Sequence, residues 1–399
     1  MRGLLVFGFL ALAPALAAAQ TGLSAEIGER GLAATEARLA ALSEPTDADR
    51  FALGGVRFLG AVEAALQLRW QVGLTAQLSG MPFLRLPIPE NPAPAKFEAP
   101  MIADLFRDVS VRMEAARVPL AAIAETSDMA VEIDLGDLWF DINGSGVRDE
   151  GEDMMSVAGP ALLGWQWLER DPSLPAPVIR FDAADAAWLS AYTHLLSGFS
   201  DTLLAYDPTR AIADVRGARE QISALRGPPR GDLMLGQFEE WVDLAAIALR
   251  ALDQPPDTVR AAAARDHLLA MIADNRVFWT RVAGETDNDR EWVPNDRQQS
   301  ALGVEVPQGT GAVWQDVLAD AEALLTGEKL IPYLWLGEDA GVNLGRMFTE
   351  PRPIDVAGWI QGVDALPYLQ KGVLVGPDNL WRFEQLVSGD AVLYMVLLN

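Results

Sequence analysis

Cysteine is absent from the 399 residues, and histidine occurs only twice, at His194 and His267. Without cysteine the chain forms no disulfide, no thiolate nucleophile and no cysteine-ligated zinc or iron–sulfur site. The two histidines fall in different predicted helices, so they do not form a two-histidine metal motif on a single helix. We expect each of them to pack among the apolar residues of its own amphipathic helix.

An excess of positive charge is also lacking. Lys and Arg number 31 against 56 Asp and Glu, which gives a formal net charge of −25. Nucleic acids and anionic lipid surfaces are bound by clustered Lys and Arg, which neutralise phosphate. We therefore expect no nucleic-acid partner, and we expect a surface that attracts cations.

Long apolar runs are confined to the N-terminus, which reads MRGLLVFGFLALAPALAAAQ. One basic residue, an apolar run over residues 4–16 and small residues at 17–19 are typical of a secretory signal peptide cleaved after Ala19. The other apolar stretches, such as AVLYMVLL at residues 391–398, are too short to span a bilayer. The sequence thus predicts an exported protein, periplasmic or extracellular, with no transmembrane segment after cleavage of residues 1–19.

The sequence also lacks the common motifs for a nucleophile elbow, a phosphate-binding loop and a dinucleotide-binding turn. These absences leave no assignable catalytic residue. An enzyme that works with carboxylates alone stays open, because paired Asp or Glu side chains suffice for reactions such as glycoside hydrolysis.

Helical periodicity dominates residues 20–283. Apolar residues recur at three- and four-residue steps in a helix that begins after Thr46, and Asp47 and Asp49 lie in its first turn. Further helices are predicted over 25–42, 102–125, 182–206 and 208–226, from a cap at Asp232, and from Pro255 to about Val282. This pattern predicts a mainly α fold with a multi-helix, bundle-like body.

Two segments interrupt the helical body. Six prolines between 82 and 100 predict an extended connector, and residues 129–140, MAVEIDLGDLWF, alternate like a strand. Beyond residue 283 the chain is rich in Gly, Pro and polar residues, with a helix predicted over 312–325. We expect residues 284–399 to form an irregular C-terminal subdomain or cap.

The twelve residues DINGSGVRDEGE follow the predicted strand directly, over 141–152. Oxygen-bearing residues at the first, third, fifth, ninth and twelfth positions, with Gly146 at the sixth, form the spacing of a tight calcium-binding loop. Calcium takes six to eight oxygen ligands, whereas magnesium demands a smaller octahedron and keeps its waters. The predicted calcium ligands are Asp141, Asn143, Ser145, the Val147 carbonyl, Asp149 and Glu152.

Over these twelve residues the chain resembles the EF-hand superfamily. The resemblance implies a bidentate Glu152 and a water-mediated contact from Asp149. Two departures are clear, since a strand and not a helix is predicted before the loop, and no second loop accompanies it. A lone loop cannot use the paired opening of calcium sensors, so the resemblance implies a structural calcium site. The C-terminal portion resembles exported bacterial proteins of undescribed function.

Function is therefore expected to be non-enzymatic binding or structural support, with one calcium ion as cofactor and partner. The alternative is a calcium-stabilised hydrolase with a carboxylate-lined cleft near residues 287–297. Polar and Trp side chains there and in later loops could line such a cleft: Asp287, Asp289, Glu291, Trp292, Asn295, Asp296, Arg297, residues 341–348, Trp359 and Gln361. Burial of Trp292, Trp314 and Trp335 would favour a packed lid over a cleft.

Overall fold

The chain is mainly helical, as the periodicity predicts. The computed structural model describes residues 13–75, 86–163, 171, 174–226, 233–387, 394–395 and 398. Residues 1–12 of the expected signal peptide lie outside this range, so the signal peptide stays a prediction. Within the described residues, short strands and irregular segments separate the helices.

The first two helices are α1 (Ala13–Ala40) and α2 (Asp47–Gln71). Helix α1 is kinked at Gly31, where φ is 75°. A Cβ at this glycine would lie 3.0 Å from the Trp139 ring, so the kink lets the indole approach the backbone. Helix α2 begins with the predicted N-terminus, because Thr46 and Asp49 form a reciprocal capping box.

The proline-rich connector is neither helix nor strand over its described part, residues 86–99. Its last proline, Pro100, instead starts helix α3 (Pro100–Ala121), where its fixed φ suits the first turn. Helix α3 packs against α2, and the contact is close because a Cβ at Gly54 would lie 2.7 Å from Leu120.

The predicted strand is shorter than expected. Strand β1 (Val131–Asp134) pairs antiparallel with β2 (Val178–Phe181). The carboxylate of Asp134 accepts the Gly136 amide at 2.8 Å, which turns the chain and ends the strand. Helix α4 (Met154–Leu163) follows the candidate calcium loop.

Four longer helices complete the body: α5 (Ala183–Ala205), α6 (Thr209–Arg226), α7 (Leu233–Leu252) and α8 (Thr258–Val282). Helix α8 starts three residues later than Pro255, because Asp257 caps it by accepting the amides of Val259 and Arg260. The expected cap of α7 at Asp232 lies outside the described residues. Helices α5 and α8 form the most extensive helix pair.

The C-terminal portion begins without regular structure and continues with α9 (Thr310–Thr326). It then forms a small sheet that the sequence analysis did not predict, with strand order β5-β4-β3-β6. These strands are only two to four residues long, too short to show an alternating pattern: β3 (Lys329–Pro332), β4 (Ala340–Val342), β5 (Leu369–Lys371) and β6 (Val373–Leu374). The intervening and following helices are α10 (Leu344–Thr349), α11 (Val356–Gln361), a 3₁₀ turn (Leu366–Tyr368) and α12 (Asp378–Leu386).

One hydrophobic core joins the helical body to the C-terminal portion, since α9 and α10 both pack on α8. Helix α2 is long and apolar enough to cross a membrane by length and composition alone, a criterion that core helices of soluble proteins also meet. It packs against α1 and α3 and contributes Phe51 and Leu66 to the core.

Candidate metal centre and surrounding polar clusters

The segment 141–152 folds into a tight turn stabilised by its own polar side chains. Gly146, at the sixth position, has a φ of 77°. Its amide donates to Oδ2 of Asp141 at 3.1 Å, and the amide of Ser145 donates to Oδ1 of Asn143 at 2.8 Å. The predicted glycine thus adopts a left-handed conformation that disfavours other residues, and the loop turns back on its first ligand.

Glu152 closes the loop from the opposite end and is fully buried, with 0% of its surface exposed. Its Oε1 accepts the amides of Ile142 and Asn143 at 2.9 and 3.2 Å, and its Oε2 accepts the amide of Asp149 at 2.9 Å. Glu152 therefore ties the two ends of the loop together through both oxygens.

The other predicted ligands contact one another through hydrogen bonds. Oδ2 of Asp149 accepts from Nδ2 of Asn143 at 2.7 Å and from Oγ of Ser145 at 3.2 Å. The Ser145 hydroxyl also lies 3.0 Å from the Val147 carbonyl oxygen. The structure thus brings these four predicted ligands to one side of the loop.

Asp141 is the most exceptional member of the set. Its Oδ1 is buried and has no hydrogen-bond partner among the described residues. A buried carboxylate oxygen without a partner is costly, because the lost hydration is not replaced. This atom is therefore the point in the loop where a cation would bring most stabilisation.

Glu63 is a neighbour of the loop that the sequence analysis missed. It lies on α2, and its Oε2 accepts the Asp141 amide at 2.8 Å. Burial raises the pKa of Glu63; the Asp141 amide bond lowers it, while the charges of Asp141 and Glu152 raise it further. One signal was available in the sequence, since Glu63 is the only charged residue between Arg57 and Arg69 in a segment that is mostly apolar.

The loop is held against the body at both ends. The Phe140 amide donates to the Glu152 carbonyl and the Met154 amide donates to the Leu138 carbonyl, both at 2.9 Å. On α2, Nε2 of Gln67 donates to the Asp141 carbonyl at 2.7 Å. The flanks are therefore a short antiparallel pairing followed by helix α4, which differs from the helix–loop–helix of an EF-hand.

Carboxylate and histidine side chains do not by themselves form a metal-binding cluster in the described part of the chain. Within the described part of the chain, no three Asp, Glu or His side chains are grouped closely enough to hold an ion by themselves. An EF-hand-type ligand set is mixed, and its amide, hydroxyl and carbonyl oxygens come here from Asn143, Ser145 and Val147.

A second acidic region surrounds residues 285–298. Burial raises the pKa of Glu285 to about 7, with Asp182, Glu291 and Asp287 adding repulsion, although the Gln298 amide donates to Glu285 at 3.0 Å. Burial likewise raises the pKa of Glu291. A carboxyl of this kind holds a proton near neutral pH, which a general acid requires.

The rest of the expected cleft is occupied by ion pairs and packing. Asp287 and Asp289 are exposed and lie 3.8 and 3.7 Å from the Arg180 guanidinium. Trp292 and Trp314 are buried, as expected for a packed lid, whereas Trp335 is 64% exposed. The remaining named residues have other neighbours. Oδ1 of Asn295 accepts the Arg297 amide, and the Asn295 amide donates to Oε1 of Gln298. Asp296 accepts the Gly309 amide, residues 341–348 form β4 and α10, and Trp359 stacks on Tyr368.

The two histidines meet, although they lie on different helices. Nδ1 of His194 on α5 and Nδ1 of His267 on α8 are 2.9 Å apart. Burial lowers the pKa of His194 to about 4, and the charges of Arg117 and His267 lower it further. Burial and Arg117 also lower the pKa of His267. The contact of the two histidines across two helices could not be read from the sequence.

Comparison with known proteins adds no family: no family model, curated protein or solved structure matches this chain.

Proposed function

We propose that this chain is an exported calcium-binding protein with a single structural site in the loop 141–152. The observation that carries the proposal is the buried, unpartnered Oδ1 of Asp141 beside two further carboxylates, the half-buried Glu63 and the fully buried Glu152. Three acidic groups in one partly dry region repel each other, and a divalent cation removes that repulsion. The sequence spacing supplies independent support.

The ligand set suits calcium. Asp141, Asp149 and Glu152 supply negative oxygens, while Asn143, Ser145 and the Val147 carbonyl supply neutral ones. Calcium accepts such mixed sets at about 2.3–2.6 Å and tolerates irregular geometry. For the ion to bind, Glu152 and Asp149 exchange some of their present hydrogen bonds for metal contacts.

The role that fits the surroundings is a structural clip. The loop connects the segment after β1 to helix α4, and α2 contacts it through Glu63 and Gln67. An ion held there fixes these elements relative to one another. Calcium is abundant outside cells, so an affinity in the range of about 10⁻⁴–10⁻³ M of extracellular modules is sufficient.

The test is a thermal melt of the chain from Gln20 onward, in EDTA and in calcium. Calcium at about a hundred times Kd stabilises a folded protein by about 2.7 kcal/mol. We therefore expect Tm to rise by several degrees in wild type and to stay constant in the Asp141→Ala/Glu152→Ala variant, which lacks two charged ligands.

The matched control is Glu150→Gln. Glu150 lies in the same loop and is exposed, and it occupies a position that supplies no ligand. This variant removes one negative charge from the loop, where the double variant removes two, and it should keep the full calcium response. An equal calcium-dependent rise in the double variant and in wild type would refute the proposed site.

The hydrolase alternative has one supporting observation, the Glu285 pKa raised to about 7. It is the weaker candidate, because Asp287 and Asp289 face solvent and pair with Arg180.

A further inference from the structure

The helical body contains an apolar cavity that the calcium loop does not use. Its volume is about 280 Å³, and its walls come from α1 to α5 and the strands β1 and β2, with Trp292 from the C-terminal portion. Protein interiors pack like organic crystals and contain few voids larger than a water molecule. A cavity of this size within the main core therefore requires an explanation other than imperfect packing.

The lining is almost wholly hydrocarbon. No Asp, Glu, Lys, Arg or His is among its described residues. Of its hydroxyls, that of Ser200 already donates to the Leu196 carbonyl at 2.7 Å. Trp188 and Trp292 line the cavity in an edge-to-face pair with ring centroids 5.3 Å apart. Such a surface has no side chain that would stabilise a charged group.

The indole N–H of Trp292 adds a polar feature. Trp292 is only 7% exposed, and its N–H has no hydrogen-bond partner among the described residues. Buried Trp N–H groups usually find an acceptor. The indole N–H groups of Trp279, Trp314 and Trp359 are also without a partner among the described residues, so this feature alone does not mark a ligand site.

One apolar stripe of helix α2 lines the cavity. Gly55, Phe58, Leu59 and Val62 recur at helical spacing and all line the cavity. Each is only half-buried, although the apolar stripe predicts a buried face. The stripe therefore faces the cavity instead of a closely packed neighbour.

We infer that this cavity is a binding site for an uncharged hydrocarbon group, such as a medium-length alkyl chain with its polar end outside. An apolar cavity of about 150 Å³ accommodates benzene, so this one has room for on the order of a dozen carbon atoms. The absence of charge in the described lining excludes a buried carboxylate or phosphate. The inference is independent of the calcium site.

The experiment is a displacement titration on the chain from Gln20 onward, at constant calcium. The uncharged fluorescent probe 1-aminoanthracene reports occupancy, and decan-1-ol is the competitor. We expect saturable binding of one probe per chain, with energy transfer from tryptophan, and complete displacement by decan-1-ol.

Cavity-filling variants decide where the probe binds. A Cβ at Gly55 meets no heavy atom within 4 Å, so Gly55→Leu has room. Gly60, on the same helix, does not line the cavity, and its Cβ would meet only the Arg112 side chain at 3.9 Å. We expect Gly55→Leu to raise the Kd for the probe by about tenfold or more. The Kd of Gly60→Leu should stay within about twofold of the wild-type value.

Ala158 lies in the wall formed by α4, and Ala158→Leu is the second cavity-filling variant. It tests the location of the probe if Gly55→Leu does not fold. Circular dichroism establishes folding for each variant. The inference is overturned if decan-1-ol does not displace the probe, or if folded filling variants bind it as tightly as Gly60→Leu.

Discussion

Individual charged residues in this protein are placed where hydration is poor. Asp141 has a buried oxygen without a partner, and Glu63 has a pKa raised by burial and by its acidic neighbours. The histidine pair is a second such place, between three helices. Arg117 of α3 donates to Ser197 at 3.0 Å and to Glu114 at 2.6 Å, and Asp201 lies 3.8 Å from His267. Both places connect elements that are distant in the sequence.

The histidine pair makes stability depend on pH. An Nδ1–Nδ1 hydrogen bond needs one nitrogen to donate and the other to accept, so both rings cannot be protonated there. Burial and the charge of Arg117 oppose protonation of the two histidines. The carboxylates of Glu114, Asp201 and Asp266 favour protonation, but their effect is smaller than that of burial. Because the pKa of His194 in the folded chain, about 4, lies below the ordinary histidine value of 6.5, the unfolded chain binds more protons between these values.

We therefore predict that the free energy of unfolding falls as pH drops from about 6.5 to about 4. Part of this fall should vanish in the His194→Gln/His267→Gln variant, because glutamine does not titrate. Urea unfolding of both proteins at pH 7 and pH 4.5, in EDTA, measures the difference. Identical pH dependence in the two proteins would show that the pair does not titrate as described.

At the scale of elements, sequence periodicity located the helices well and the strands poorly. Helices α2, α5 and α6 begin close to the predicted residues because caps and prolines mark them locally. Strands β3 to β6 carry no such signal, since each is stabilised by pairing with a distant segment. The turn of the candidate site was predictable from Gly146 and its neighbours. Glu63 stands out in the sequence as an isolated charge on α2, but its contact with the loop was not predictable, because 78 residues separate it from Asp141.

Close helix packing depends on small residues at particular positions. Gly198 lies between α5 and α8, where a Cβ would be 3.2 Å from Leu268 and 3.3 Å from the Ala264 carbonyl. Gly217 lies in α6, and a Cβ there meets no heavy atom within 4 Å. The two glycines are both helical but differ in what surrounds them.

We predict opposite effects from the same substitution at these positions. Gly198→Ala should destabilise the protein by about 1–3 kcal/mol, because the added methyl group crowds the Leu268 side chain and the less adaptable Ala264 backbone carbonyl. Gly217→Ala should stabilise it by about 0.5–1 kcal/mol, because alanine lowers the entropy cost of the helix. Chemical denaturation measures both, and a stabilised Gly198→Ala variant would contradict the packing described.

At the scale of the whole molecule, a mainly helical body carries a strongly negative surface, with a net charge of −25. Such a charge keeps the chain soluble and raises the local concentration of cations. It also predicts weak, non-specific calcium binding over the surface. The proposed site must therefore be distinguished from this background by stoichiometry and by residue dependence, and not by calcium binding alone.

The most direct test of the calcium proposal is a calcium titration by isothermal calorimetry in about 0.15 M salt, which screens the diffuse surface charge. We predict one saturable site per chain with a Kd of about 10⁻⁴–10⁻³ M. Asp141→Asn, which changes the ligand with the unpartnered oxygen, should abolish the saturable phase, and Glu150→Gln should retain it. Saturable calcium binding that persists in Asp141→Asn, or that is absent from wild type, would contradict the central claim.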